Sequence, residues 1–205
     1  IEEAAGAAVD AIHRPDEDVQ WDDDESPAQA EAVAVALHKL YCTKIAPTIE
    51  YAAVEVACER LEITDLGIAL TGTTDRVSKA GDGYGIKDLK TGKAAVAADG
   101  TVKTAGHAFQ LGVYELLAEH ASGLPITAGA QIVGLQTGKT ERGQRVAVSQ
   151  PVEGARDVLL GDEDAPGILE TVARMVKAGA FFGNPRSMMC AKAYCPIYST
   201  CRYRK

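Results

Sequence analysis

The chain has 205 residues, of which 46% are hydrophobic and 24% are charged, so it suits one globular domain and is not intrinsically disordered. No run of roughly 18 apolar residues and no secretory signal is visible, which predicts a cytoplasmic protein without a membrane-spanning helix. The net charge is −8, yet residues 1–26 carry ten acidic residues and one basic residue, and the last twenty carry five basic and no acidic residues. Charge alone favours ordinary solvated surfaces, although the basic end would also fit a nucleic-acid backbone.

The first 46 residues are predicted to be mainly helical. The chain starts with Ile rather than Met, which predicts a processed or truncated N-terminus. Residues 1–12 repeat Ala, Val and Ile at helical spacing and include Asp10. After a polar, acidic connection, Ser26 and Pro27 are typical of a helix start, and the apolar spacing continues to about Cys42. Pro47 ends this helical part.

A strand is predicted over residues 50–63, where apolar residues alternate. Strict alternation places Glu55 on the same side as Tyr51 and Ala53. A lone carboxylate inside an apolar strand is costly unless it is paired or binds a metal, so Glu55 is a candidate metal ligand. A solvent-facing position at a sheet edge is the alternative.

A hairpin is predicted from residues 68–77 and 84–89, joined by a turn at 81–83. Asp88 and Lys90 are two residues apart in a strand, so both point to one side of the sheet, and the hairpin brings Asp75 beside them. Two carboxylates and an ammonium suit Mg²⁺ or Mn²⁺ and the hydrolysis of phosphodiesters. The D-x-K pattern alone also fits a surface hairpin with an ion pair.

The following segment is predicted to hold a mobile loop over residues 93–100 that closes over substrate, and then a helix over residues 101–122. Gln110 and Tyr114 are four residues apart and share one part of this helix surface, with His107 one turn earlier. A Tyr packed in the core beside a polar neighbour is the alternative. Residues 128–136 and 144–149 predict a second hairpin, and residues 153–179 predict a terminal helix interrupted near Pro166.

Three cysteines are close together near the C-terminus: Cys190, Cys195 and Cys201. Because nothing indicates secretion, metal binding is favoured over disulfides. From the residues alone, the three cysteines could form a zinc site or stay as reduced thiols.

Three motifs in order resemble the PD-(D/E)XK nuclease superfamily, and in particular its RecB-like, phage and CRISPR-associated branch. They are G-x-x-D-R at 72–76, D-x-K-T-G at 88–92 and Q-x-x-x-Y at 110–114. The resemblance implies an α/β fold with a restriction-endonuclease-like core, a small mixed sheet flanked by helices, and a cysteine-rich tail. It implies one domain over residues 1–205, with a helical part (1–46), a sheet core (47–150) and a terminal helix with the tail (151–205).

The resemblance also implies roles for individual residues. Asp75 and Asp88 would bind Mg²⁺ or Mn²⁺, and Lys90 would position the attacking water. The family places a histidine in an N-terminal G-x-x-V-H helix, where this chain has Asp10; Asp10 and Glu55 are therefore weaker candidate metal ligands. Gln110 and Tyr114 would hold the substrate backbone.

The cysteine tail resembles the part of these nucleases that holds a 4Fe–4S cluster. The resemblance implies Cys190, Cys195 and Cys201 as three ligands. The fourth would be Cys42 or a cysteine that precedes this sequence. The gap of four residues between the first two cysteines is longer than the two that the family usually has.

The function implied is that of a metal-dependent DNA nuclease, expected to be an exonuclease on single strands or duplex ends. Its setting would be recombination, repair or phage DNA metabolism in the cytoplasm of a bacterial or phage-infected cell. The alternative is a catalytically inactive nuclease-like subunit that binds DNA or a protein partner in a repair complex. Asp10 and the acidic N-terminus favour this alternative, whereas intact Asp75, Asp88 and Lys90 count against it.

Overall fold

Helices and strands cover most of the chain in the computed structural model, which describes residues 2–14, 21, 25–187 and 189–204. Two short 3₁₀ turns, Ala46–Thr48 and Glu141–Gly143, lie between them. In chain order the elements are α1 (Glu2–Ile12), α2 (Pro27–Lys44), β1 (Tyr51–Ile63), β2 (Ile68–Ala80), β3 (Gly83–Gly92), α3 (Ala108–Ser122), β4 (Ile126–Gln136), β5 (Arg145–Val148), α4 (Ala155–Leu160) and α5 (Ile168–Ala178).

The start of α2 is fixed by the residues that the sequence singled out. Ser26 has extended backbone angles, and its Oγ accepts a hydrogen bond from the Gln29 backbone N–H at 3.3 Å. Pro27 is the first helical residue, where its missing N–H costs nothing. The helix runs to Lys44, slightly beyond the predicted end, and the 3₁₀ turn containing Pro47 follows it.

The five strands form one mixed sheet in the order β1-β2-β3-β4-β5. Strands β1, β2 and β3 are consecutive antiparallel neighbours, β3 pairs in parallel with β4, and β4 pairs antiparallel with β5. The parallel pair requires a crossover connection, which α3 supplies. The predicted fold class, a small mixed sheet flanked by helices, is confirmed.

Successive residues of β3 and β4 point to opposite faces of this sheet. Ile86 and Ile132 pack with Leu111 of α3 in the main core. Leu89 and Leu135 point to the other face and line a cavity of about 540 Å³ against α2. Asp88 and Lys90 alternate with Leu89, so they belong to the face that α3 covers.

The segment before α3 differs from the prediction. Val96 and Val102 form an isolated β-bridge and are both buried in the core. The predicted mobile loop over residues 93–100 is therefore wrong at Val96, and the predicted helix from residue 101 is wrong at Val102. The Gln136 side chain accepts a hydrogen bond from Val96 N, and Arg145 donates one to Val96 O. The helix begins at Ala108 instead of residue 101, because the bridge holds Val102 extended and Gly106 has a φ of 88°.

Strict alternation in β1 is also wrong. Ala53 and Val56 both pack against the core, although their spacing is odd, and Val54 between them is exposed. The change of side occurs at Glu55, whose φ is 51°, a left-handed conformation that costs a non-glycine residue energy. A register irregularity between Tyr51 and Ala53 lies next to it.

The terminal helix is interrupted, as predicted. Its two parts, α4 and α5, are separated by residues 161–167, where Gly161 has a φ of 73° and Gly167 lies against the backbone of Leu160. Leu159 and Leu169 pack with Leu116 of α3 in a second core cluster. None of the described helices is both long and apolar enough to cross a membrane.

Candidate active site

The candidate site lies where strands β2 and β3 separate. Their paired register begins at the turn and ends with Val77 opposite Ile86. Beyond that point β2 continues its pairing with β1, and β3 continues its pairing with β4. The two strands therefore leave space between their facing edges, and Asp75 and Asp88 are the first acidic residues beyond the last pair.

Asp75 takes over a hydrogen bond that the separated strands no longer make. Its Oδ2 accepts from the backbone N–H of Leu89 at 2.7 Å. A buried strand N–H without an acceptor is costly, so this bond stabilises the separation. It also fixes the Asp75 carboxylate next to Asp88.

Asp88 and Lys90 meet on one side of β3, as the two-residue spacing predicted. Lys90 Nζ lies 2.7 Å from Asp88 Oδ2, and only 2% of the Asp88 side chain is exposed. This contact is an ion pair, and among the described residues no other group donates a hydrogen bond to the buried Oδ2 of Asp88. A buried carboxylate oxygen in this state is suited to a cation.

The charge on Asp88 is controlled by the groups around it. Burial raises the pKa of the Asp88 carboxyl above its usual value, and the ammonium of Lys90 opposes this rise. The neighbouring Asp75 carboxylate raises the pKa further, whereas His107 lowers it. A divalent cation between Asp75 and Asp88 would remove both the repulsion and the burial cost of the charged form.

Helix α3 brings three further polar residues to this region. His107 is the N-cap residue of α3, and its influence on Asp88 shows that this end of the helix faces the strands. Gln110 is exposed and donates a hydrogen bond from Nε2 to the Tyr114 hydroxyl at 2.9 Å. The Tyr114 backbone carbonyl accepts from Thr74 Oγ1 at 3.4 Å, next to Asp75.

Asp10 and Glu55 are not assembled with the other acidic residues. Both are exposed, and Asp10 belongs to α1, which packs against α2. The register of β1 on β2 places Glu55 between the pairs Val54–Arg76 and Val56–Thr74, which is opposite Asp75. Nevertheless, no three His, Cys, Asp or Glu side chains within the described ranges are arranged to hold a metal ion.

The tail cysteines do not form a prearranged metal site either. Cys190, Cys195 and Cys201 are free thiols and half-buried. Cys42, the suggested fourth ligand, contacts His38 Nε2 at 3.5 Å within α2. The absence of a prearranged ligand group, which concerns the described part of the chain, holds for these cysteines as well.

Two features of the structure were missed from the sequence. Arg76 of the G-x-x-D-R motif lies over the rings of Tyr41 and Tyr51, at 5.5 and 6.0 Å from their centroids. Glu115 of α3 is 5% exposed and lines a cavity of about 390 Å³ beside α4. The available signal was its helical spacing, four residues after Leu111 and three before Ala118, which places it on the inner face of α3.

Comparison with protein families agrees with this geometry. The model of the PD-(D/E)XK nuclease superfamily matches residues 2–202, which is nearly the whole chain. A search among curated proteins gave no match. The matched family, the mixed sheet and the acidic pair with its lysine at the strand separation are mutually consistent. The chain therefore belongs to the PD-(D/E)XK nuclease superfamily.

Proposed function

We propose that this protein is a Mg²⁺- or Mn²⁺-dependent nuclease that hydrolyses phosphodiester bonds in DNA. The observation that supports this most directly is the buried Asp88 carboxylate, which has the Lys90 ammonium as its ion-pair partner and the Asp75 carboxylate as a neighbour. Mg²⁺ is commonly held by one or two carboxylates and completes its shell with waters and substrate phosphate. Asp75 and Asp88 suffice for such a site.

The residues proposed to hold the ion are Asp75 and Asp88. The chemistry that a bound divalent cation supplies is polarisation of the phosphoryl oxygen and a lower pKa for a bound water. Asp10 and Glu55 stay weaker candidates, because both are exposed and neither joins the acidic pair in a ligand group.

The remaining residues act on the substrate and the water. Lys90 is 28% exposed at its side chain and pairs with Asp88, so its ammonium can reach both solvent and the reacting phosphate. There it would position the water and stabilise negative charge that develops in the transition state. Gln110 and Tyr114, joined by their hydrogen bond, would hold the substrate backbone.

We further propose exonucleolytic action on single strands or duplex ends. One domain would carry it out, comprising the helical part (1–46), the sheet core (47–150) and the terminal helix with the tail (151–205). The proposed setting is recombination, repair or phage DNA metabolism. These parts are supported by the motif order that resembles RecB-like nucleases.

The test is to incubate the full chain with end-labelled single- and double-stranded DNA in Mn²⁺, Mg²⁺ or EDTA. Asp88→Ala should lower cleavage by roughly a thousandfold or more, since losing several kcal/mol of metal assistance slows the reaction tenfold for every 1.36 kcal/mol. Asp65→Ala, in the exposed turn between β1 and β2, is the control and should cleave normally. The product ladder gives exo- or endonucleolytic action and polarity.

Unchanged cleavage by Asp88→Ala would contradict the proposed site. Folded wild-type protein that binds DNA but cleaves no substrate would favour the alternative, a nuclease-like subunit that binds DNA or a partner protein. A Mn²⁺ titration separates the two, because a catalytic site should bind the ion through Asp75 and Asp88.

A 4Fe–4S cluster on Cys190, Cys195 and Cys201 is a separate proposal. The three cysteines close together in the tail and their resemblance to RecB-like relatives support it. The longer first gap and the lack of a prearranged ligand group in the described residues count against it. Anaerobic purification followed by iron and sulfide analysis tests it. Protein that is folded and free of iron and sulfide would exclude the cluster, with zinc analysis as the next measurement.

A further inference from the structure

The C-terminal segment, residues 180–204, presents aromatic side chains to solvent. Phe181 and Phe182 follow directly after α5, and 67% and 71% of their surfaces are exposed. Tyr194 and Tyr203 are exposed as well. Large apolar side chains that remain uncovered in this number indicate a binding surface.

The same segment differs in charge from the rest of the protein. Residues 180–205 contain five basic and no acidic residues, and since the whole chain carries −8, the preceding 179 residues carry −13. The net negative charge of residues 1–179 would repel a polyanion. A polyanion would therefore be attracted mainly to the basic residues of the C-terminal segment, residues 180–205.

The fold brings aromatic and cationic groups from both ends of this segment together. Gly183 lies so close to Tyr203 that a Cβ on Gly183 would be 2.6 Å from the Tyr203 Cβ. Because Gly183 directly follows Phe182 in the chain, this contact holds Tyr203 against the segment that begins with Phe181 and Phe182. The Arg202 guanidinium lies over the Tyr203 ring at 5.2 Å from its centroid. We call Phe181, Phe182, Arg202 and Tyr203 the tail cluster.

We propose that the tail cluster binds single-stranded nucleic acid by stacking bases on its rings and contacting phosphates with its arginine. Aromatic side chains beside basic ones are how proteins bind single strands without sequence preference, because every base has a π-face. The inference rests on the proposed function and narrows its substrate to a strand whose bases are unpaired. A membrane surface is a poorer fit, because the tail is a series of turns and not an amphipathic helix.

The experiment measures binding of fluorescein-labelled oligothymidine of about 16 nucleotides, a length that one such surface covers, by anisotropy in EDTA, where no cleavage competes. The test variant is Phe181→Leu with Phe182→Leu, which keeps apolar bulk but removes the rings. We expect its Kd to rise at least about tenfold, since stacking on each ring contributes substantially. The matched control is Val172→Ala with Val176→Ala, two exposed apolar residues of α5, and its Kd should stay within twofold.

A second pair of variants tests the charge. Arg202→Gln should reduce the slope of log Kd against log salt by about 0.7, the value for one lost phosphate contact on a single strand. Lys177 is an exposed lysine at the end of α5, and Lys177→Gln should leave the slope unchanged.

The variant Phe181→Tyr with Phe182→Tyr should bind the oligonucleotide as tightly as wild type, because it keeps both aromatic rings.

Four results would overturn the inference. The first is wild-type protein that does not bind the oligonucleotide, and the second is a leucine variant that binds as tightly as wild type. The third is tighter binding to phosphatidylserine vesicles than to DNA, lost in the leucine variant. The fourth is self-association that is lost in that variant while DNA affinity is unchanged. Failure of the proposed function is distinguishable, because it appears as absent cleavage in Mn²⁺ while binding in EDTA persists.

Discussion

Within the described residues, Asp88 of β3 and Glu115 of α3 are both buried carboxylates. One Asp88 oxygen has an ion pair with Lys90 and no other donor, and one Glu115 oxygen has no hydrogen-bond partner. Burial is the largest influence on both, and it raises the pKa of each, to about 7 for Glu115. Their surroundings differ. Asp88 has a lysine ammonium at 2.7 Å and a second carboxylate beside it.

Glu115 has a cation nearby that is already engaged. Arg156 makes two hydrogen bonds to the Glu119 carboxylate, at 2.7 and 3.0 Å. It still lowers the pKa of Glu115, whereas Asp157 and Glu119 raise it.

A buried carboxylate that lacks a full set of hydrogen bonds does not by itself identify a catalytic site. At Asp88 the strands separate, a second acid is fixed by a backbone hydrogen bond, and a lysine projects into the same space. At Glu115 helices α3 and α4 close over the group, with Gly112 against the Ala155 carbonyl. We expect the first region to control chemistry and the second to control stability.

Loss of Lys90 should slow cleavage strongly, although less than Asp88→Ala does. Lys90→Met should lower the rate of cleavage by about 10²- to 10³-fold, the usual loss when one charge-stabilising group is removed from a transition state. The measurement is single-turnover cleavage of end-labelled DNA in Mn²⁺. Lys87→Met is the control, because Lys87 lies on the opposite face of β3 and bonds to Gln131. Equal rates for Lys90→Met and wild type would remove Lys90 from the mechanism.

The next effect is stabilisation by metal. Mn²⁺ at about one hundred times its Kd should raise the free energy of unfolding by about 2.7 kcal/mol in wild type. Glu115→Gln should show the same increase, whereas Asp88→Asn should show none, since it removes a proposed ligand. Urea unfolding with and without Mn²⁺ measures this. An increase that survives in Asp88→Asn would place the ion elsewhere.

Glu115 should control the pH dependence of stability. Its folded-state pKa of about 7 lies above the ordinary value of 4.5, so the folded protein binds more protons than the unfolded chain between these values. Stability should therefore fall as pH rises from about 4.5 to about 7, by on the order of 2 kcal/mol. Glu115→Gln should remove this fall and be more stable than wild type at about pH 8.

Urea unfolding of both proteins across this pH range checks the prediction. Asp65→Asn, in an exposed turn, should follow the wild-type curve. A Glu115→Gln curve parallel to wild type would show that Glu115 ionises normally in the folded state.

A smaller change in stability is expected at Glu55, and the same variant tests whether Glu55 takes part in cleavage. Glu55→Gly should raise the free energy of unfolding by roughly 0.5–1 kcal/mol, because glycine adopts the φ of 51° without strain. Glu59→Gly, on the same strand without a positive φ, should instead destabilise. Unfolding measurements detect the difference, and a loss of cleavage in Glu55→Gly alone would assign Glu55 to the active site.

Much of this arrangement was predictable because it depends on local spacing. The hairpin, the shared side of Asp88 and Lys90, and the Ser26 cap follow from strand and helix periods and from turn chemistry. The family match over residues 2–202 confirms the superfamily that the three motifs resemble. The division into parts at residues 46 and 150 stays a prediction.

The features that the sequence could not predict depend on contacts between residues far apart in the chain. The late start of α3 depends on a bridge between Val96 and Val102 and on side chains of Gln136 and Arg145 from another part of the sheet. The change of side at Glu55 comes from a left-handed residue that no glycine signals. The pKa of Glu115 depends on Arg156 and Asp157 of α4, which is distant in the chain.

A lineage of such proteins that stopped cleaving DNA would not lose its motif residues in random order. Asp88 is a proposed metal ligand and Lys90 its ion-pair partner, so without the reaction an apolar pair would replace them at little cost to folding. Asp75 would persist, or change to Asn, because without it the Leu89 N–H would lose its acceptor at about 1–3 kcal/mol. In divergent relatives, an intact G-x-x-D-R strand would thus record ancestry, and the D-x-K strand would report whether the enzyme still works.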